Sequence, residues 1–533
     1  MKKIRFISLI LVVLMMLSIV PITASATEEA AVTAPTLLPD GTTEVKIKTI
    51  VNYGKVGGPP TGWTNASYTK DLGYTMTKEG SMLSFTAKRG DAIMLKDAKG
   101  VLIEYDATAA TADTWAAPII RVWASAMNTN EQYWTTTDKN TDYYVFADGA
   151  WVTGSVEIGN NNGSWALLEQ GTKGFLYVPM NEFVKNNTID AGAGESASCI
   201  VDDVTSGKEK DYIIGDVGMN HWLSTGMIYK TFSVVYDKAD YLEITGASVT
   251  LTNNFDVNFY ADVPATATNV SMQIQHENAT TTVEGVKLEN GTQRFTYKNV
   301  LPQCMSETVT ATLTATVNGV VKTSAVEYSI REYCENMLEN ENSSAALKTL
   351  LVDTLYYGAA AQTYLSYKTD DPATKNLTDE QKALRSADNA ASITDTVKMT
   401  GTANADYKWQ GAALRLGSTM AMNLTFAAKG VGGLTVEATI NGRTVVLDDF
   451  TDNEDGTYTV IFNNIGAEEY ASEMTAVMKY NGAQVGETLS YTVNAYVKSV
   501  EDDNTAAASL KSLTRAIYAY GAAAQAYVAT LVA

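Results

Sequence analysis

Seven of the eight tryptophans in this chain fall in its N-terminal part: Trp63, Trp115, Trp123, Trp134, Trp151, Trp165 and Trp222; the eighth is Trp409. An indole ring offers a broad apolar face with a single N–H at its edge. Sugars present flat C–H faces that stack on such rings, while neighbouring Asn, Asp, Gln and Glu hydrogen-bond the hydroxyls. Several of the rings have that company. Trp63 sits in a Gly/Pro/Asn stretch, Tyr133-Trp134 between Asn128-Thr129-Asn130-Glu131-Gln132 and a threonine run, Trp165 after an Asn-Asn-Asn-Gly-Ser turn, and His221-Trp222 after Asn220. Binding residues concentrate on loops, so Trp63, Tyr133, Trp134, Trp165, His221 and Trp222 are the candidate ligand contacts. The competing reading, rings that anchor a core or a loop, applies to each of them and is preferred for Trp123, inside an apolar run.

Chemistry that needs imidazole or thiolate has little to draw on. His221 and His276 are the two histidines, and neither accompanies a serine in a G-x-S-x-G elbow. They are too few for a His-rich zinc site, and Cys199, Cys304 and Cys334 show no C-x-x-C spacing. Of the three cysteines, Cys304 and Cys334 are the candidate pair for a disulfide, but separate buried thiols are the ordinary reading. A glycosidase needs two carboxylates, but no spacing among the 60 acidic residues singles out a pair. The acidic run at 448–456 does not fit a calcium loop, because Gly456 at the sixth place would put Thr451 first and Phe462 last. The chain therefore reads as a non-enzyme with no metal and no cofactor.

Sixty acidic against 39 basic side chains give a net charge of -21, which repels phosphate backbones and argues against nucleic-acid partners. With 45% hydrophobic residues the chain is not an acidic disordered polymer. Its 533 residues suggest three or four domains. Residues 1–26 carry Lys2, Lys3 and Arg5, an apolar run over 7–20 and Ala24-Ser25-Ala26, the order of a signal peptide. That run is too short to span ~30 Å of hydrocarbon, and no later stretch is apolar enough, so no integral membrane segment is expected after cleavage. The expected location is secreted, or surface-associated through non-covalent contacts.

The elements that would position the tryptophans follow. Residues 27–43 read as a flexible leader. Residues 44–240 read as short strands between Gly, Asn and Pro clusters, most clearly at 117–123, 143–146, 174–179 and 229–236, which predicts a β-sandwich or jelly roll. The stretch Gly174-Phe175-Leu176-Tyr177-Val178-Pro179-Met180-Asn181-Glu182-Phe183 resembles the late-strand signature of carbohydrate-binding jelly rolls of secreted bacterial enzymes.

The second half repeats itself. Tyr357-Gly358-Ala359-Ala360-Ala361-Gln362 recurs as Tyr520-Gly521-Ala522-Ala523-Ala524-Gln525, and Asn318-Gly319 recurs as Asn481-Gly482. Two homologous α+β modules, 241–370 and 404–533 with a linker at 371–403, are expected. Each has antiparallel strands first, with hairpin turns at Asn290-Gly291 and Asn318-Gly319, then a helix begun by the capping box Ser329-Ile330-Arg331-Glu332 and a long helix whose Gly-Ala-Ala-Ala turn permits close approach to a sheet. Tyr357 and Tyr364 read as packing residues or, alternatively, as a ligand ledge. This pattern resembles a repeat found at the C-termini of large secreted and surface proteins of gut clostridia and their relatives, which implies an accessory module and no catalytic residues.

The functional expectation is a secreted or cell-surface binding protein whose N-terminal sandwich takes a glycan by aromatic stacking. The alternative is a surface protein that binds a host protein or glycoprotein, such as an immunoglobulin or mucin, through the sandwich, sheet edges or repeats, where duplication suits avidity. A purely structural surface component is the third reading.

Overall fold

The computed structural model describes residues 32–52, 66–69, 73–79, 81–86, 98–123, 132–135, 143–157, 164–179, 189–191, 213–252, 254–415, 417 and 419–532. Residues 1–26, read as a signal peptide, together with Trp63 and Cys199, lie outside the described residues. The chain is mainly β, with 45% strand and 20% helix, in several antiparallel sheets. Its described residues divide into two compact units, 32–241 with 264–266 and 242–263 with 267–532.

The first unit holds β1 (Val45–Asn52), β2 (Ala66–Thr69), β3 (Gly73–Met76), β4 (Ser81–Thr86), β5 (Gly100–Asp106), β6 (Thr114–Trp123), β7 (Gln132–Thr135), β8 (Tyr144–Ala147), β9 (Ala150–Thr153), β10 (Ser155–Glu157), β11 (Ser164–Leu168), β12 (Lys173–Pro179), β13 (Ile189–Ala191), β14 (Ile213–Trp222) and β15 (Ile228–Asp237). An eight-stranded sheet runs β2-β3-β15-β5-β12-β8-β9, with β1 against β15. A seven-stranded sheet runs β10-β11-β6-β14-β4, with β7 and β13 joined through β6. Alternation along each strand sorts side chains to two faces. Val101, Ile103, Tyr105, Leu176 and Val178 of the first sheet join Ala116, Ala166, Leu168 and Met219 of the second in one buried cluster.

The other face of the eight-stranded sheet is covered locally. Leu102, Phe175, Tyr177 and Val235 gather with Leu38, Val32, Ala34 and Trp151. Residues 32–43, expected as part of a flexible leader, are thus packed: Leu38 is buried, Leu37 bridges to Glu44, and the Leu37 carbonyl accepts the Trp151 Nε1–H at 2.9 Å.

The second unit contains β16 (Glu243–Thr250), β17 (Asp256–Asp262), β18 (Thr268–His276), β19 (Ala279–Val283), β20 (Gly285–Lys287), β21 (Gln293–Tyr297), β22 (Val309–Val317), β23 (Val320–Tyr328), α1 (Ile330–Glu339), α2 (Ala345–Leu365) and α3 (Asp379–Lys382). There follow β24 (Lys398–Thr400), β25 (Tyr407–Arg415), β26 (Met420–Ala428), β27 (Leu434–Ile440), β28 (Arg443–Leu447), β29 (Thr451–Asp452), β30 (Thr457–Ile465), β31 (Met474–Tyr480), β32 (Ala483–Tyr491), α4 (Val493–Asp502) and α5 (Ala508–Val532). β23 and α1 shifted by 163 residues coincide with β32 and α4. Ser329, Ser344 and Thr492 each accept the amide three residues on, at 2.9–3.2 Å, and so begin α1, α2 and α4.

One buried cluster runs through both repeats. Its seam lies between α2 and α5, where the Tyr357 and Tyr520 rings stack at 5.4 Å and 23°. Tyr520 OH donates to the Leu251 carbonyl, and Ala467 N–H donates to the Thr252 carbonyl at 2.6 Å. The small-residue turn therefore serves helix-on-helix approach more than the helix-on-sheet approach expected. Each glycine also admits a close neighbour from its own repeat: a Cβ on Gly358 would lie 2.7 Å from Met305 Sδ, and one on Gly521 would lie 2.6 Å from Tyr470 Cδ2. The 371–403 stretch, read as a linker, is packed at Ala373, Leu377, Ala390 and Ile393. Gln362 is buried and holds this stretch, accepting from Ala373 N at 2.8 Å and donating to the Asp371 carbonyl at 3.2 Å.

The possible disulfide is not formed, and the ordinary reading of separate buried thiols holds. Cys304 and Cys334 are both free and buried. Cys304 Sγ donates to Glu277 Oε1 at 3.4 Å, and burial, helped by that carboxylate, pushes its thiol up to about 12.

Candidate functional site

The site is built from the pleat of the seven-stranded sheet. On β14, Trp222 pairs directly with Trp115 of β6, and Trp115 pairs on its other side with Leu167 of β11. The next rung is His221, Ala116 and Ala166, all with no exposed surface. Side chains alternate across a strand, so the first rung faces away from the core: Trp222 is 49% exposed, while Trp115 and Leu167 are half-buried. Trp165 stands two residues from Leu167 on the same face and is half-buried. Directly opposed residues bring their Cβ atoms within about 5 Å, so Trp222 and Trp115 project side by side from the same face.

The turn after β14 holds Trp222 in place. Leu223 takes φ of +76°, a region a branched, bulky side chain seldom occupies, and is itself 41% exposed. What holds this strained corner is His221, immediately before Trp222. Its Nε2–H donates to the Ser224 carbonyl at 2.7 Å, and the Tyr229 hydroxyl donates to Nδ1 at 3.2 Å. Burial pushes this imidazole below its ordinary value, against a smaller upward pull from the Ser224 carbonyl. A neutral ring with one donor and one acceptor matches both partners. His221, expected among the ligand contacts, is therefore a buried brace.

Polar groups gather where the strands end. Thr225 N–H donates to Thr111 Oγ1 at 2.9 Å, and Gln170 N–H donates to Asp113 Oδ1 at 2.8 Å. Thr111, Asp113, Glu169 and Gln170 are exposed. They adjoin Thr114, Leu168 and Trp222, the terminal residues of β6, β11 and β14. Hydroxyl, carboxylate and amide groups thus border the aromatic rung.

The remaining expected contacts fall as follows. Tyr133 and Trp134 lie on β7, a strand instead of the loop expected; they pair with Val122 and Arg121 of β6, and Trp134 also pairs with Asp190 of β13. Trp151 has a different environment, its ring 5.0 Å from Phe146 and 5.7 Å from Tyr177. Trp409 is buried, its Nε1–H donating to the Glu487 carbonyl at 2.8 Å. Of the two tyrosines flanking the small-residue patch, Tyr357 is in the core and Tyr364 is 40% exposed. Trp115 was not among the expected contacts; its signal is a large ring between the small residues Thr114 and Ala116 at a strand start.

Among the described residues, no group of three or more His, Cys, Asp or Glu side chains is placed to hold a metal ion, and no helix is long and apolar enough to cross a membrane. The chain matches no known protein family and no curated protein.

Proposed function

We propose that the chain is a secreted, non-catalytic binding protein that takes a glycan on the outer face of its seven-stranded sheet. In this reading the first unit is a β-sandwich, its two sheets facing one another across their shared buried cluster, and the second unit is a pair of α+β modules. Trp222 is the principal stacking platform, Trp115 and Trp165 extend it, and Asp113, Gln170 and Thr111 meet sugar hydroxyls. The observation that carries the reading is the half-exposed Trp222 ring opposite Trp115. An exposed aromatic ring beside a half-buried one, rimmed by polar groups, is the kind of apolar surface that marks binding sites. The N-terminal sequence, with its basic start, short apolar run and Ala-Ser-Ala, supports export.

A glycan array with the intact protein tests the reading, followed by titration of each hit against Trp222→Ala and Trp115→Ala. Loss of one central stacking ring costs about 2 kcal/mol of binding, or roughly thirtyfold in Kd. Trp222→Ala leaves the melting temperature nearly unchanged, because the ring is half-exposed. Absence of any glycan hit, or hits indifferent to both substitutions, overturns the proposal.

A further inference from the structure

The two repeats differ at one sheet edge. In the second repeat β24 lies along β32, pairing Lys398 with Ser490, Met399 with Leu489 and Thr400 with Thr488. The strand at the corresponding place in the first repeat is β23, which ends its four-stranded sheet and pairs with β22 alone among the described residues. The segment that would correspond is used elsewhere: counted back from β16 as β24 is from β25, residues 233–235 are committed to β15, between β1 and β5.

The burial record shows what the missing strand would cover. Leu489, Ser490 and Tyr491 are buried, at 0%, 8% and 3%. Their counterparts 163 residues earlier are Val326, half-buried, Glu327, exposed, and Tyr328, half-buried. An uncovered edge is a ready template for another extended chain.

We infer that the β23 edge of the first repeat is a strand-addition site for an extended peptide segment of a partner protein, antiparallel to β23, with a basic residue opposite Glu327 and an apolar one opposite Val326. The second repeat supplies the template, since Lys398-Met399-Thr400 holds that register on its own edge. Main-chain hydrogen bonds give such a site its affinity and alternate side chains its selectivity. The incoming Lys meets Glu327, and opposite charges across paired strands are favourable. This inference concerns the repeats and does not depend on the glycan reading.

The experiment uses the intact protein and a synthetic peptide of residues 395–402, followed by fluorescence anisotropy and by hydrogen exchange. The expected result is saturable binding with new amide protection within 320–328 and none within 483–491. Glu327→Lys weakens binding several-fold, and a peptide with Lys398→Glu restores it on that variant. A peptide with Met399→Asp does not bind. The inference is overturned if protection fails to appear within 320–328, or if the charge swap has no effect. It is also overturned if 320–328 becomes protected with rising protein concentration in the absence of peptide, because a second copy of the chain then occupies the edge.

Discussion

Glu468 provides a direct measurement of how the two repeats are joined. It lies in the 3-10 turn Ala467–Glu469, whose first amide donates to Thr252 of the other repeat, two residues before Tyr470, whose ring meets Tyr520 in the seam. Its Oε2 is buried without a hydrogen-bond partner. Burial, with a smaller push from Glu469 and against its own backbone amide and Arg443, raises the carboxyl from 4.5 to about 7. A folded-state value above the unfolded one means that the native chain binds the proton more tightly. The resulting stabilisation is fully present below pH 4.5 and is lost as pH rises through about 7. At 1.36 kcal/mol per pH unit, the shift corresponds to a ceiling of about 3 kcal/mol between those limits. Glu468→Gln keeps the shape and removes the charge. Urea unfolding followed by far-UV helical dichroism reports on this unit, because every described α-helix lies within 330–532. The variant and parent should be nearly equal at pH 4.5, and the variant should exceed the parent by up to about 3 kcal/mol at pH 8. A difference that stays flat with pH, or a variant weaker than the parent at pH 8, refutes the reasoning.

Three further outcomes are open to measurement. Gly521→Ala forces a methyl into the buried Tyr470 ring, with its nearest atoms at 2.6 and 3.0 Å; the strain of about 1–3 kcal/mol outweighs the ~1 kcal/mol helix-propensity gain, so the unfolding midpoint falls, and it falls less for Gly358→Ala, where the flexible Met305 side chain is the nearest neighbour. His221→Leu leaves the Ser224 carbonyl without its Nε2–H donor and costs about 1–3 kcal/mol in denaturant unfolding, with the glycan affinity lost in parallel if His221 braces Trp222. Mass spectrometry under non-reducing conditions should find Cys304 and Cys334 both alkylatable in denaturant and both unreactive in the native protein, where burial holds their thiols protonated; a linked pair refutes the free-thiol assignment.

Local signals in the sequence carried far. The alternating Thr/Val/Leu run at 309–317 is β22 to the residue, and Asn318-Gly319 takes φ of +50° and +81° in the tight turn to β23. The same dipeptide at Asn290-Gly291 misleads, because there only the glycine has positive φ and the chain closes through the longer bond from Leu288 N–H to Thr292 O. The capping box at Ser329 is seen in one direction, with Glu332 N–H donating to Ser329 Oγ at 3.0 Å. What sequence could not supply is partnership. Periodicity identifies the buried face of α2, but the choice of α5 as its neighbour comes from Tyr357 meeting Tyr520 across the full length of a repeat. The packed stretch at 371–403 was hidden for the same reason: Gln362 and the buried Asp353, which accepts from Ser386 N–H at 3.3 Å, hold a segment whose composition resembles a linker.

The site itself turns on a distinction that spacing along the chain obscures. His221 and Trp222 are neighbours after a polar residue, and as sequence they read as one loop feature. On a strand, however, neighbours point to opposite faces, and the pair divides into a brace with no exposed surface and a platform that is half-exposed. The same period explains why Trp115 belongs to the site although its own flanks, Thr114 and Ala116, are core residues. A strand can therefore place support and recognition in adjacent codons, with the inward residue fixing the corner and the outward one meeting the ligand. Substitution at either position should reduce binding, but only the inward one should also lower stability, and that separation is what distinguishes a brace from a contact.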